Sequence, residues 1–146
     1  MAENDSILFD SCNFTLLKSN SDIAGSAVFA ASSAREGFGL ENVRDDNRNS
    51  YWQSNGALPH HIDIIFPRFT KISTIFMYIS PSDESYAPCQ VIIQAGTDFN
   101  DLQTVFVQET SLFYYWQELI LKSKNSYIEA IVLRVVILNN HYNGID

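Results

Sequence analysis

Cysteine is nearly missing from this chain. Only Cys12 and Cys89 occur among 146 residues, and their spacing fits no Cys-x-x-Cys pattern. That excludes a disulfide-dense scaffold and a multi-thiolate zinc site. The two are read as free, packed thiols of a reducing compartment, with a disulfide between them as the alternative. On the first reading the sequon at Asn13 carries no glycan. Basic residues are scarce as well. Nine Lys and Arg stand against 17 Asp and Glu, a net charge of −8, and the nine are scattered. A nucleic-acid partner is therefore not expected, because phosphate backbones are held by clustered cations. Long apolar runs are also wanting. The best, "YIEAIVLRVVIL" (127–138), contains Glu129 and Arg134 and is too short to span a bilayer, so no membrane partner is expected. The opening "MAENDSILFD" lacks the basic segment and apolar core of a secretory leader. The expected localisation is nucleus and cytoplasm.

Catalytic constellations are lacking too. There is no Gly-x-Ser-x-Gly elbow, and "GFG" at 37–39 is too short to cradle phosphates. His60 and His61 resemble metal ligands, but neighbours on an extended chain point to opposite faces. One exposed and one structural histidine is the expectation, with no metal and no cofactor. Asp83 and Glu84 are adjacent, whereas glycosidase carboxylates face each other across a sugar from different strands. Flanked by Pro81, Ser82 and Pro88, the pair reads as a rigid solvated turn. The chain is not expected to be an enzyme.

What is present is β-pattern. Hydrophobic residues make up 46% and charged residues 18%, which is globular composition in a length suited to one domain. "HIDIIF" alternates, with Ile62, Ile64 and Phe66 on one face. "KISTIFMYIS" (71–80) is apolar on both faces, as a central, doubly covered strand would be. "SAVFAASS" (26–33), "QVIIQAG" (90–96), "TVFVQ" (104–108), "YYWQELIL" (114–121) and 127–138 complete the set. Pro59, Pro67, Pro81 and Pro88 are expected between these runs, where a missing N–H does no harm. Seven or more such strands without interleaved helices predict an all-β antiparallel sandwich or jelly roll.

The stretch "REGFGLENVRDDNRNSYWQSNG" (35–56) is a long loop, nearly free of aliphatic residues, that ends in Tyr51 and Trp52. A loop of that length in a small domain is usually functional or disordered. The expectation is that Trp52 plugs the core, while Asp45, Asp46 and Asn47 form Asx-turns and caps that buttress a binding rim.

"GFGLENVRDDNRNSYWQSNGALPH", "SDESYAPCQVIIQAGTDFNDLQ" and "LNNHYNGID", in this order and spacing, resemble the DOC-domain family, the domain of subunit ten of the anaphase-promoting complex (cyclosome). The resemblance runs from Asp22 to Asp146, leaving 1–21 as an N-terminal segment. "YWQS" alone would suggest only the wider galactose-binding-like, discoidin-type group.

The resemblance implies a galactose-binding-like jelly-roll sandwich with no activity of its own. It also implies a place in a multisubunit ubiquitin ligase, with the other subunits and a propeller-type activator as partners. There the domain and the activator would hold the destruction-box peptides of cell-cycle substrates. The implied substrate-binding residues are Ser82, Asp83, Glu84, Ser85, Tyr86, Asn140, His141, Asn143 and Gly144. Arg44, Asp45, Asp46, Asn47, Tyr51 and Trp52 would support them. Read from the residues alone, "NHYNG" is also a plain hairpin turn signal. The family continues into one more strand and an Ile-Arg tail, and Ile145 stands where an arginine is usual. The expectation is therefore a missing last strand and an open edge beside 127–138; either the gene continues past Asp146, or the slot is filled by "SILFDSCNFTLL" or by a partner. The alternative function is a carbohydrate-binding module, with Trp52 as platform beside Arg44 and Asp46.

Overall fold

The computed structural model describes residues 6–10, 13–15, 24–45, 47, 49–79, 88–109, 115–121 and 127–140. Nine strands occur among them. They are β1 (Ser6–Asp10), β2 (Asn13–Thr15), β3 (Val28–Ala31), β4 (His60–Ile72), β5 (Thr74–Ile79), β6 (Pro88–Gly96), β7 (Gln103–Glu109), β8 (Tyr115–Ile120) and β9 (Ile128–Asn140). One sheet has the order β3-β4-β9-β6-β7 and is antiparallel throughout. The other has the order β2-β1-β5-β8, with β1 parallel to β5.

The alternation in the sequence explains the first sheet. Ile62, Ile64 and Phe66 of β4 are 2% exposed or less, as are Leu133 and Val135 of β9 and Val91 and Ile93 of β6. They meet Ile75 and Met77 of β5 and Leu119 of β8 in one cluster. Each such side chain contributes about 1.5–3 kcal/mol through removal from water.

Three expectations need correction. Residues 71–80 are not one strand. Ile72 ends β4 in the five-stranded sheet, and after Ser73 the chain begins β5 in the other. The Ser73 carbonyl accepts the Leu121 N–H at 2.8 Å at this corner. Ile72 and Ile75 are both fully buried although their spacing is odd, so the two-faced apolar pattern records a parity change between sheets. Pro67 does not fall between strands but inside β4. It lies where the register to β9 shifts between Ile65 and Thr70, so a bulge takes the residue that cannot donate. Pro88 likewise belongs to a strand, as the first residue of β6.

The third correction concerns the edge. β9 lies between β4 and β6 and is paired on both sides, so no edge is open beside it. The N-terminal residues pair elsewhere: Ser6–Asp10 runs alongside Thr74–Tyr78 of β5.

Candidate functional site

The register of the five-stranded sheet brings several connections to one end. Ala31 at the end of β3 lies two residues from the start of β4, opposite Ile62. His60, the first residue of β4, opposes Ile137, near the end of β9. Asn140, the last residue of β9, opposes Pro88, the first of β6. The 32–59 connection, the segment before Pro88 and the segment after Asn140 therefore all meet the sheet at the same end. Ser82, Asp83, Glu84, Ser85, Tyr86, His141, Asn143 and Gly144 lie outside the described residues.

Asn140 itself is buried at 7%. Its N–H donates to the Asn139 side-chain oxygen at 3.0 Å, and its carbonyl accepts the Cys89 thiol at 3.0 Å.

The 32–59 connection is folded down by its own polar groups. A short 3-10 helix spans Leu40–Arg44, and Val43 within it is fully buried in the core. Trp52 is 3% exposed, and its indole N–H donates to the Ser33 carbonyl at 2.9 Å. Gln53 donates to the Phe38 carbonyl at 3.1 Å and its own carbonyl accepts the Arg35 N–H at 2.8 Å, closing the loop on itself. The Asn42 amide donates to the Tyr51 carbonyl at 3.1 Å. Asp45 accepts the Asn47 N–H at 2.9 Å and the Ser50 hydroxyl, and Asn47 accepts the Asn49 N–H at 2.9 Å. These are the Asx-turns that the sequence suggests. Phe38 and Tyr51 stack at 4.8 Å, with the Arg35 guanidinium 5.7 Å from the Phe38 ring centre. Arg44 closes the short helix in its backbone; its side chain and all of Asp46 lie outside the described residues.

The two histidines point apart. His60 meets the Trp52 ring edge-on at 6.5 Å, and burial lowers its pKa below 6.5. His61 turns to the outer face, where Nδ1 is 3.4 Å from Asp63 Oδ2. Both are half-buried, instead of one exposed and one structural.

Sequence reasoning passed over the outer face of this sheet. Asp63, 4% exposed, receives two hydrogen bonds from Arg134, Nε to Oδ1 at 2.7 Å and a terminal nitrogen to Oδ2 at 3.0 Å. These bonds raise the Arg134 pKa above its ordinary value. Phe99 lies over the guanidinium at 5.3 Å. The pair is cross-strand, and the sequence signal was an Asp and an Arg in the middle of two apolar runs. At the far end of the sheet an open cleft of about 520 Å³ is lined by Ala95, Gly96, Thr97, Asp101, Gln103 and Glu129 among others. Asp101 accepts the Thr97 and Asp98 N–H groups at 2.7 and 3.0 Å and the Thr97 hydroxyl. These bonds, that from Asp98 foremost, hold its carboxyl below the ordinary 3.8. Asp101 of the cleft thus ties its own turn.

Residues 10–146 match the family described as "Anaphase-promoting complex, subunit 10 (APC10)". The match begins earlier in the chain than the resemblance read from motifs. A protein of that name in Drosophila melanogaster is 39% identical over 127 residues, 86% of this chain and 65% of its own length. The Homo sapiens protein is 35% identical over 127 residues, 86% of this chain and 69% of its own length. The chain therefore spans about two thirds of these relatives. Among solved structures, a family 32 carbohydrate-binding module of Clostridium perfringens, in complex with GalNAc-β-1,3-galactose, superposes with a TM-score of 0.71 at 13% identity. That alignment covers 82% of this chain and 89% of the module. A chitosan-binding module from Paenibacillus sp., in complex with chitotriose, gives 0.66 at 21% identity, over 84% and 91% of the two chains. At such identities the likeness is one of fold, the galactose-binding-like jelly roll.

Proposed function

The chain belongs to the anaphase-promoting complex subunit 10 family, and from that premise we propose that it is a substrate-recognition subunit of this ubiquitin ligase. In this reading it performs no chemistry of its own. It holds the destruction-box peptide of a substrate together with a propeller-type activator, in the nucleus and cytoplasm where cell-cycle substrates are met. Two weak contacts made at once raise the effective concentration of each. Dissociation slows, and more ubiquitin is added per encounter.

One observation supports the reading. Pro88 opposes Asn140, so the segments containing Ser82 to Tyr86 and His141 to Gly144 join the sheet side by side. Beside them stands the loop closed by Trp52, rigid enough to serve as a buttress. In the proposal His141 and Asn143 offer neutral hydrogen-bonding groups to an extended peptide, and Asp83 and Glu84 form a negative lip for its basic residues. Asn140, being buried, shapes the rim.

The test is a reconstituted ubiquitination assay in which the ligase lacks this subunit and the chain is added back. Longer ubiquitin chains per binding event are expected, shortened again by His141→Ala with Asn143→Ala at unchanged melting temperature. If adding the chain leaves processivity where it was, the co-receptor role is wrong. The sugar-bound modules of the same fold favour one second reading, a carbohydrate-binding module. Against it stands Trp52, whose ring lies in the core and offers no platform.

A further inference from the structure

The outer face of the five-stranded sheet, turned away from the core, keeps apolar side chains in water. Val28 stands opposite Ile65, the residue between core-facing Ile64 and Phe66. Val107 stands opposite Ile92, between core-facing Val91 and Ile93, and Leu138 follows core-facing Ile137. Strand alternation therefore puts all three outside. They are 63%, 68% and 40% exposed, and Phe99, 50% exposed, lies over Arg134 on the same face. These are four of the six large hydrophobics exposed among the described residues, so apolar exposure is gathered on one face and not scattered. The face is also poor in charge, in a chain of net charge −8. Asp63 and Arg134 reach it from adjoining strands, and their paired hydrogen bonds set one charge against the other. No other Asp, Glu, Lys or Arg stands in the described rows of this face from Val28 to Val107.

We propose that this face seats the chain against another subunit of the ligase, through an uncharged and largely apolar surface of that partner. The inference rests on the reading of the chain as a subunit of that complex. Charge selects the kind of partner. A face whose acid and base cancel gives a phosphate backbone, an anionic lipid surface or a basic peptide nothing to pair with. Depletion of charge around aromatic and arginine side chains is instead the composition of a protein interface core. Size decides between a second copy and a different protein. With strands about 4.8 Å apart and residues about 3.4 Å apart, five strands and the stretch from Val132 to Leu138 span roughly 400 Å². A stable interface takes about 800 Å² from each partner. A second copy seated on this face alone would fall short, whereas a subunit of a large assembly is held at other contacts too. Phe99 and Val107 are the anchors, one a ring over Arg134, the other the most exposed of these apolar side chains.

The experiment adds the full chain to reconstituted ligase lacking this subunit and measures its incorporation by co-sedimentation. Two variants accompany the parent, Phe99→Ala with Val107→Glu and the milder Phe99→Ala with Val107→Thr, and the melting temperature of each is measured. Both variants should need roughly tenfold more protein or above for half-incorporation, the loss expected on removing a hot-spot anchor, at unchanged melting temperature. Equal incorporation of parent and variants would refute the docking face, as would losses that follow falls in melting temperature in both. If the parent alone sediments as a dimer and the Val107→Glu variant as a monomer, the face belongs to a second copy and the stated partner is wrong. If the parent does not incorporate, the subunit reading fails first and this inference falls with it. Incorporation is read apart from processivity, so a failure of the co-receptor role is told from a failure of this face.

Discussion

Trp52 shows what a single residue does here. Its ring lies in the core and its indole N–H ends on the Ser33 carbonyl, so it closes a connection that would otherwise be held by surface turns. Trp52→Ala should cost about 3–5 kcal/mol, the range for emptying a large aromatic site. Trp52→Phe should cost less, since it mainly orphans the Ser33 oxygen. Chemical denaturation of the two variants measures both, and an alanine variant with the parent's midpoint would refute the plug. The aromatic was legible in the sequence because Trp rarely sits in a polar loop without a partner. Val43 was not legible, since a lone aliphatic between Asn42 and Arg44 carries no periodicity, yet it is fully buried. His60, against the Trp52 edge, adds a pH effect. Its folded pKa is lowered by burial, below the 6.5 of the unfolded chain. The unfolded chain therefore takes up this proton first as pH falls. The stability His60 permits is fully present above 6.5 and is lost as pH falls through the window just below it. The unfolding free energy should decline between about pH 7 and pH 5, and His60→Gln should flatten that part of the profile.

At the scale of elements, alternation gave the long strands and missed their irregularities. β4 was readable because Ile62, Ile64 and Phe66 alternate onto one buried face, and β9 because its density of Ile, Val and Leu leaves no helical polar face. The corner at Ser73 was not, because a parity change between sheets looks the same in sequence as a strand covered on both faces. Nor were the bulges at Pro67 and Cys89, which depend on what the partner strand does. The parallel pairing of β1 with β5 joins residues far apart in sequence and leaves no local signal. The turn from β6 to β7 is different, for its chemistry is local. Asp101 gathers the N–H groups of Thr97 and Asp98, and Gly96 passes so close to it that a Cβ would collide with the Asp101 side chain. These bonds depress the carboxyl below 3.8, so their stabilisation is present above that value and is lost as pH falls through the lower folded value. Protection of the Thr97 and Asp98 amides from hydrogen exchange should be high near neutrality and fall in acid below 3.8. In Asp101→Ala it should be low throughout. Equal protection in the two proteins would mean that the carboxylate does not tie the turn.

For the whole molecule, fold and family were legible by different routes. Strand periodicity was enough for an all-β sandwich, while three motif blocks were needed to separate one family from the sugar-binding modules that share its architecture. The distinction has a physical consequence. A sugar site on such a sandwich needs an exposed aromatic face on which a pyranose can stack beside polar groups that take its hydroxyls. Here the indole that could serve is inside, and the exposed ring near it, Tyr51, is stacked on Phe38 under the Arg35 guanidinium. Among the described residues, what remains at that end is a backbone-tied loop, and the proposed function would have its neighbours meet an extended peptide. The full chain titrated with galactose and with chitotriose should therefore show no saturable change in tryptophan fluorescence or amide chemical shifts at millimolar sugar. A destruction-box peptide should perturb the amides that flank Pro88 and Asn140. Sugar-induced shifts at those same amides, with none from the peptide, would make the carbohydrate reading the better one despite the family.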